Sequence, residues 1–222
     1  MKISLKWLND YIDVADYATK PNDLAALLTA AGLEVEGIEN LSKQFEYVVV
    51  GNILKKDTHP NADRLTVCQV ATGDGVVHQI VCGAKNHNAG DNVVVALPGA
   101  VLPGNFAIKR SKIRDVESGG MLCSLKELGL AGDSEGIVIL PKDAPVGQPF
   151  AKYQGLDDVM FELKVTPNRA DCLSHFGLAR EISCLLGREV KFPIESLIED
   201  GGSTRQQMKI ELKAADMAPR YT

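Results

Sequence analysis

Near the start of the chain apolar side chains return at helical spacing. Trp7, Leu8, Tyr11 and Ile12 form one stripe with Ser4 ahead of them as a capping residue, which predicts a first helix. A second helix follows "ATKPND". Thr19 is its expected N-cap, and Pro21 falls in the first turn, where a missing N–H costs nothing. Leu24, Leu27, Leu28 and Ala31 make its buried stripe, and Gly32 ends it in the left-handed conformation that glycine adopts cheaply. "LEVEGI" then alternates apolar and acidic side chains and reads as a short strand over 33–38.

From Phe45 to Phe150 the period changes to two. Strands are predicted over 47–56, 65–72, 77–83, 92–98, 106–113 and 136–140, separated by "THPNAD", "TGDG", "GAKNHNAGD", "LPGAVLPGN" and "AGDSEG". Short strands so closely spaced predict a small closed β-barrel, with "SLKELGL" its one short helical candidate. The pattern then reverts. "DDVMFELKVT" alternates over 159–165, and "TPNRADCLSHFGLAREISCLLG" predicts a helix capped by Asp171 or Ser174 and stopped by Gly187. Helical segments on both sides of an all-β block predict an α+β, multidomain chain: a barrel over 41–151 inserted into a small, mainly helical domain built from 1–40 and 152–190. The strands 33–38 and 159–165 are the natural partners that join its halves. Residues 191–222, polar and containing "EDGGSTRQQ", read as a linker and the start of a further domain.

At 222 residues with 45% hydrophobic content, a proper core is available without staples, and with 5% aromatics it is mainly aliphatic. The five cysteines form no Cys-x-x-Cys pair and read as reduced thiols. No apolar run approaches the ~20 residues that span a bilayer as a helix, so the expected setting is cytoplasmic, without membrane contact. The net charge of −5 is unevenly spread. Residues 1–40 carry three basic and seven acidic side chains, 41–151 eleven of each, and 152–222 ten basic and eleven acidic. The expected barrel is thus the segment least repulsive to a polyanion.

Few residues suggest catalysis. Cys172 and His175, three apart, are the minimum for thiol chemistry but lack an orienting third group. No phosphate loop, Gly-x-Gly-x-x-Gly or Gly-x-Ser-x-Gly occurs. The stronger signal is "KRSKIRDVESGGML", 109–122, which places Lys109, Arg110, Lys112 and Arg114 close together. On a strand through 106–114, Phe106, Ile108, Arg110, Lys112 and Arg114 share a face, with the cations ~7 Å apart, near phosphate spacing. Asn61 and Arg64 in "THPNADRL", Lys85 in "CGAKNH", and Ser118 and Met121 flanking Gly119 and Gly120 complete the candidate contacts. The scarcity of aromatics favours folded RNA read through shape and phosphates. The alternative is a structural or interaction module whose basic strand is merely solvated.

"VVVGNILKKDTHPNADRLTVCQVATGD", "QIVCGAKNHNAGDNVVVALPGAVLPG" and "KIRDVESGGMLCSLKELGL" resemble the tRNA-binding, OB-type barrel of synthetase-associated proteins. "MKISLKWLNDYID", "GLEVEGIE" and "FELKVTPNRADCLSHFGLAREI" around it resemble the bacterial phenylalanyl-tRNA synthetase β-subunit family, and "APRYT" the start of that family's next domain. The resemblance implies an auxiliary tRNA-binding barrel in the N-terminal part of a longer subunit. An α subunit would join it in an (αβ)₂ heterotetramer that charges tRNA(Phe) with phenylalanine using ATP and Mg²⁺. It implies no catalytic, editing, metal or cofactor site in these residues, and no DNA partner. In "TPNRADC" Pro167 biases Thr166 to an extended conformation, Asn168 or Asp171 caps a helix, and Arg169 bridges to a carboxylate.

Overall fold

The computed structural model describes residues 1–73, 75–192, 201–214, 216–217 and 219. β1 (Lys2–Ser4) leads directly into α1 (Leu5–Tyr11), where the Ser4 hydroxyl accepts the Trp7 N–H at 3.0 Å as the N-cap. α2 (Pro21–Ala30) has Pro21 in its first turn, but its N-cap is Lys20. The expected capping residue, Thr19, turns its hydroxyl back to the Asp16 carbonyl instead. The helix closes in a Schellman pattern: Gly32 N–H bonds Thr29 O, Leu33 N–H bonds Leu28 O, and Gly32 has φ +87°. Leu28 and Leu33 are both buried beneath that cap, and β2 (Glu34–Asn40) follows.

The barrel is built from β3 (Val48–Thr58), β4 (Thr66–Ala71), β5 (Val77–Cys82), β6 (Asn92–Ala96), the pair β7 (Val101–Leu102) and β8 (Phe106–Ala107), the ribbon β9 (Ser111–Ile113) and β10 (Val116–Ser118), β11 (Met121–Leu122) and β12 (Ile139–Leu140). The main sheet is antiparallel in the order β11–β6–β3–β4–β5, with β12 also on β6. β6 is buried on both faces. Val94 and Ala96 join an apolar cluster with Phe45, Val48, Val50 and Phe150, while Val93 and Val95 join a second with Ile53, Val70 and Ile80. This is why "VVVA" is an unbroken apolar run. Residues 117–122 nearly close the sheet. Gly119 N–H bonds Gln79 O on β5 at 2.8 Å, and Met121 then pairs with Ala96 on β6.

Two local expectations fail here. The predicted strand 106–113 breaks after Ala107, because Ile108 is buried and exchanges backbone bonds with Ala100 and Gly99 rather than continuing a ladder. "SLKELGL" forms turns rather than a helix. The Glu127 carboxylate accepts the Ser124 N–H and hydroxyl, both at 2.7 Å, so a capping box forms without a helix behind it.

After the barrel come α3 (Phe150–Tyr153), β13 (Val159–Lys164), a 3₁₀ turn over Pro167–Cys172 and α4 (His175–Leu186). Of the two expected caps Ser174 is the one used. Its hydroxyl accepts Gly177 N–H at 3.0 Å, and Gly187 ends the helix in the left-handed region. β13 lies between β1 and β2, antiparallel to both. One face of this sheet buries Ile3, Phe161 and Leu163 against Leu8, Leu24, Leu28, Leu178 and Ile182 of the three helices. Met1–Lys191 form one compact unit and Phe192–Thr222 a second. In the second, Thr204–Gln207 make a short helical turn with no buried side chain. Of the expected linker and further domain over 191–222, residues 193–200 and nearly all of "APRYT" lie outside the described residues. Among the described residues no helix is long and apolar enough to cross a membrane.

Candidate nucleic-acid interface

The basic segment forms the β9–β10 ribbon, in register Ser111↔Ser118, Lys112↔Glu117 and Ile113↔Val116. Arg114 and Asp115 have φ +49° and +69°, so they are the two central residues of a tight hairpin turn of the primed type. Arg114 is therefore not on a strand face with Arg110 and Lys112, and buried Ile108 is not on it either. What survives of the expected face is the pair Arg110 and Lys112. They line a cleft of about 620 Å³ together with Val77 and His78. Lys109 and Ile113 line a second cleft of about 640 Å³ with Phe106, Met121 and Ile137, and Ser111 borders both. The ribbon is the wall between the two. Its four cations are all exposed; Lys112 Nζ stands 4.0 Å from Glu117, an exposed pair that contributes little.

The ribbon is held from both sides. His59 is buried; its Nδ1 accepts the Asn61 N–H at 3.0 Å, so Nε2 carries the proton and donates to Ile113 O at 3.0 Å. The Asn61 side-chain amide donates to Arg114 O at 3.1 Å. The "THPNAD" loop is thus a latch on the hairpin turn. Across the ribbon, buried Ser118 accepts the Val81 N–H at 3.1 Å and donates to Gly120 O at 3.0 Å, and Gln79 Nε2 donates to Glu117 O. A Cβ on Gly120 would stand 2.8 Å from Ala96 O, so its missing side chain serves closure of the barrel rather than approach of a ligand. Asn86, beside Lys85, exchanges two hydrogen bonds with the backbone of Ile137.

Of the sequence candidates, Lys109, Arg110, Lys112, Ser118 and Met121 thus line the two clefts, Asn61 and Ser118 hold the ribbon, and exposed Arg64, Lys85 and Arg114 lie outside both linings. Sequence reading missed Phe106 and His78 as cleft residues and His59 as the latch. Phe106, an exposed aromatic beside a basic run, was the one signal available.

The Cys172–His175 pair does not form. Cys172 is buried, and burial, with the hydrogen bond to Asp171, pushes its thiol up to about 11. His175 Nε2 instead accepts the Ser4 N–H at 3.1 Å, its ring stacked on Trp7 with centroids 4.0 Å apart. Among the described residues the one grouping able to hold a metal is Asp171, Cys172 and Glu181. The Arg169 guanidinium already donates to all three, and its bonds hold the Asp171 carboxyl down at about 2. A thiol and two carboxylates neutralised by arginine do not suit Mg²⁺, which prefers oxygen ligands and retained waters, so these residues do not fit an ATP–Mg²⁺ site.

Residues 48–149 match the family model described as "Putative tRNA binding domain". The phenylalanine–tRNA ligase beta subunit of Bdellovibrio bacteriovorus is 65% identical over 221 residues, 100% of this chain and 27% of that protein. The beta subunits of Fusobacterium nucleatum and Anaeromyxobacter dehalogenans are 50% and 45% identical over 221 residues, with the same coverage. The chain therefore spans about a quarter of the length of the curated relatives it matches. Along its whole length it is similar to phenylalanine–tRNA ligase beta subunits, and its residues 48–149 match the tRNA-binding family model.

Proposed function

We propose that the chain is the part of a phenylalanine–tRNA ligase beta subunit that gives the enzyme auxiliary affinity for tRNA. The observation that carries this reading is the pair Arg110 and Lys112, side by side on a latched ribbon inside the segment that matches the tRNA-binding family. Arginine presents a planar donor fork and lysine a point charge, and both suit phosphate oxygens. Lys109, Arg64, Lys85 and Arg114 extend the positive surface. Asn61 and Ser118 act by holding the ribbon, and Met121 offers an apolar surface. The barrel, 41–151, is the binding module, and 1–40 with 152–190 is the frame that carries it. The aminoacylation of tRNA(Phe) by phenylalanine, ATP and Mg²⁺, the α subunit of an (αβ)₂ assembly and the cytoplasmic setting belong to the parent enzyme, whose active groups lie outside this chain.

The competing reading, a module for subunit or domain assembly, draws on Asn61, Ser118 and Gly120, all committed to barrel architecture. Salt dependence separates the two. Each phosphate contact contributes about −0.7 to −0.9 to the slope of log K against log salt. Binding of tRNA to this chain should show a slope of a few units, and Arg110→Glu/Lys112→Glu should flatten it by one to two. Equal slopes, or no binding, would assign the ribbon to architecture.

A further inference from the structure

Along 109–113, Arg110 and Lys112 line one cleft, Lys109 and Ile113 line the other and Ser111 borders both, and the two clefts differ in chemistry. On one side stand Arg110 and Lys112, with Glu117 the only carboxylate among the described residues that line it, which leaves a cationic excess there. On the other, Lys109 is balanced by Glu127, and the walls are largely apolar: Phe106, Ile113, Met121 and Ile137. Phe106 is 54% exposed, a large aromatic surface left in water at the mouth of a hollow. The volume of about 640 Å³ lies in the range of roughly 300–1,000 Å³ usual for small-ligand sites. Polar groups converge on it as well. Glu127 is fixed by two hydrogen bonds from Ser124, and the Ser134 hydroxyl is buried there without a hydrogen-bond partner. A neutral, mostly apolar hollow with one aromatic lip and a fixed carboxylate is unsuited to phosphate. It suits a flat, uncharged ring that bears an amino group, since the ring stacks on apolar surface and the amine donates to the carboxylate.

We infer that this cleft receives one unpaired nucleobase, carrying an exocyclic amine, from an RNA whose phosphates lie on Arg110 and Lys112 across the ribbon. The inference rests on the tRNA-binding reading above. Its occupant is chosen by continuity with the cationic cleft: a chain that places phosphates against one side of a narrow two-stranded wall can swing a base over to the other. The feature recognised is then a nucleotide out of the stack, in addition to the charge of a folded RNA.

The test is anisotropy of a labelled tRNA transcript with the 222-residue chain, Phe106→Ala, Phe106→Trp and Arg110→Glu/Lys112→Glu. The exposure of Phe106 makes its replacement compatible with folding, which circular dichroism checks. Stacking of one base on an aromatic side chain predicts that Phe106→Ala weakens binding by roughly fivefold to 150-fold. The salt slope should stay unchanged, and Phe106→Trp should retain affinity. Undiminished affinity in Phe106→Ala, with a flattened slope in the charge variant, would overturn the base site and leave the phosphate reading standing. No tRNA binding by the parent chain would end both. Self-association lost in Phe106→Ala, with tRNA binding intact, would give the cleft to a second copy and overturn the proposal.

Discussion

At the scale of single residues, His87 and His175 set how the fold responds to acid. Burial comes first in lowering both below the ordinary histidine range; nearby Lys56 adds to the effect on His87, while Asp91 and Asp158 oppose it in part. His175 must also stay neutral at Nε2 to accept the Ser4 N–H, which ties the first helix to α4. A histidine lowered in the folded state is protonated first in the unfolded chain. Its stabilising contribution is therefore full above the ordinary histidine value of 6.5 and declines as pH falls toward the folded pKa. Urea midpoints should drop between pH 7 and 5.5, and His175→Gln should blunt the drop. The carboxylates Asp16, Asp91 and Asp157, lowered from the ordinary value of 3.8, act mostly below that interval. A flat profile from pH 7 to 5.5 would show that these imidazoles are not neutral by burial. Residues whose partners are close in sequence were legible in advance, as with Ser4, Ser174 and the Gly32 and Gly187 caps. The structural roles of Ser118 and Gly120 were not legible, because their partners, Val81 and Ala96, are brought beside them only by closure of the barrel.

At the scale of elements, periodicity located most of the barrel strands and two of the three strands outside it, β1 being missed, but misdrew the basic segment 106–114. A period-two pattern through "FAIKRSKI" cannot tell a continuous strand from two short ones separated by a residue that dives into the core, as Ile108 does. Nor does "RD" announce a primed hairpin turn, for which Asn-Gly is the usual signal. The ribbon that results depends on a loop about fifty residues earlier, so its rigidity was invisible to local pattern. Asn61→Leu keeps the volume and removes the donor to Arg114 O. One lost hydrogen bond predicts a loss of about 1 kcal/mol in stability. Amide exchange should quicken in the 111–118 ribbon while β3, β4 and β6 keep their protection, and tRNA affinity should fall severalfold as the cations lose their fixed spacing. Exchange quickened equally across the barrel would mean that Asn61 supports the fold at large and not the ribbon.

At the scale of the whole molecule, the topology reduces the insertion to one junction. Asn40 at the end of β2 and Val159 at the start of β13 are directly paired, and Leu41 N–H bonds Asp158 O at 2.9 Å, so the chain leaves and re-enters the small sheet at the same place. The barrel is in effect the loop of a β2–β13 hairpin. The buried apolar cluster beneath the sheet draws on Ile3–Leu33 and Val159–Ile182, and those of the barrel on Phe45–Ala151, with no buried side chain common to them. A hairpin with paired end residues needs only two residues to turn, and glycine at the first of them gives the primed geometry that matches strand twist. Replacing 41–157 by a single glycine leaves Gly–Asp158 as that turn. It also keeps Asp158, whose carboxylate accepts the Lys6 N–H at 3.0 Å and the Ser4 hydroxyl at the start of α1. The shortened chain should melt cooperatively with a dispersed amide spectrum, and 41–157 expressed alone should do the same. If the short hairpin protein folds and the excised barrel does not, the frame contributes stability to the module it carries. If neither folds, the discontinuous domain is wrong as a folding unit, and Met1–Lys191 fold only as one body.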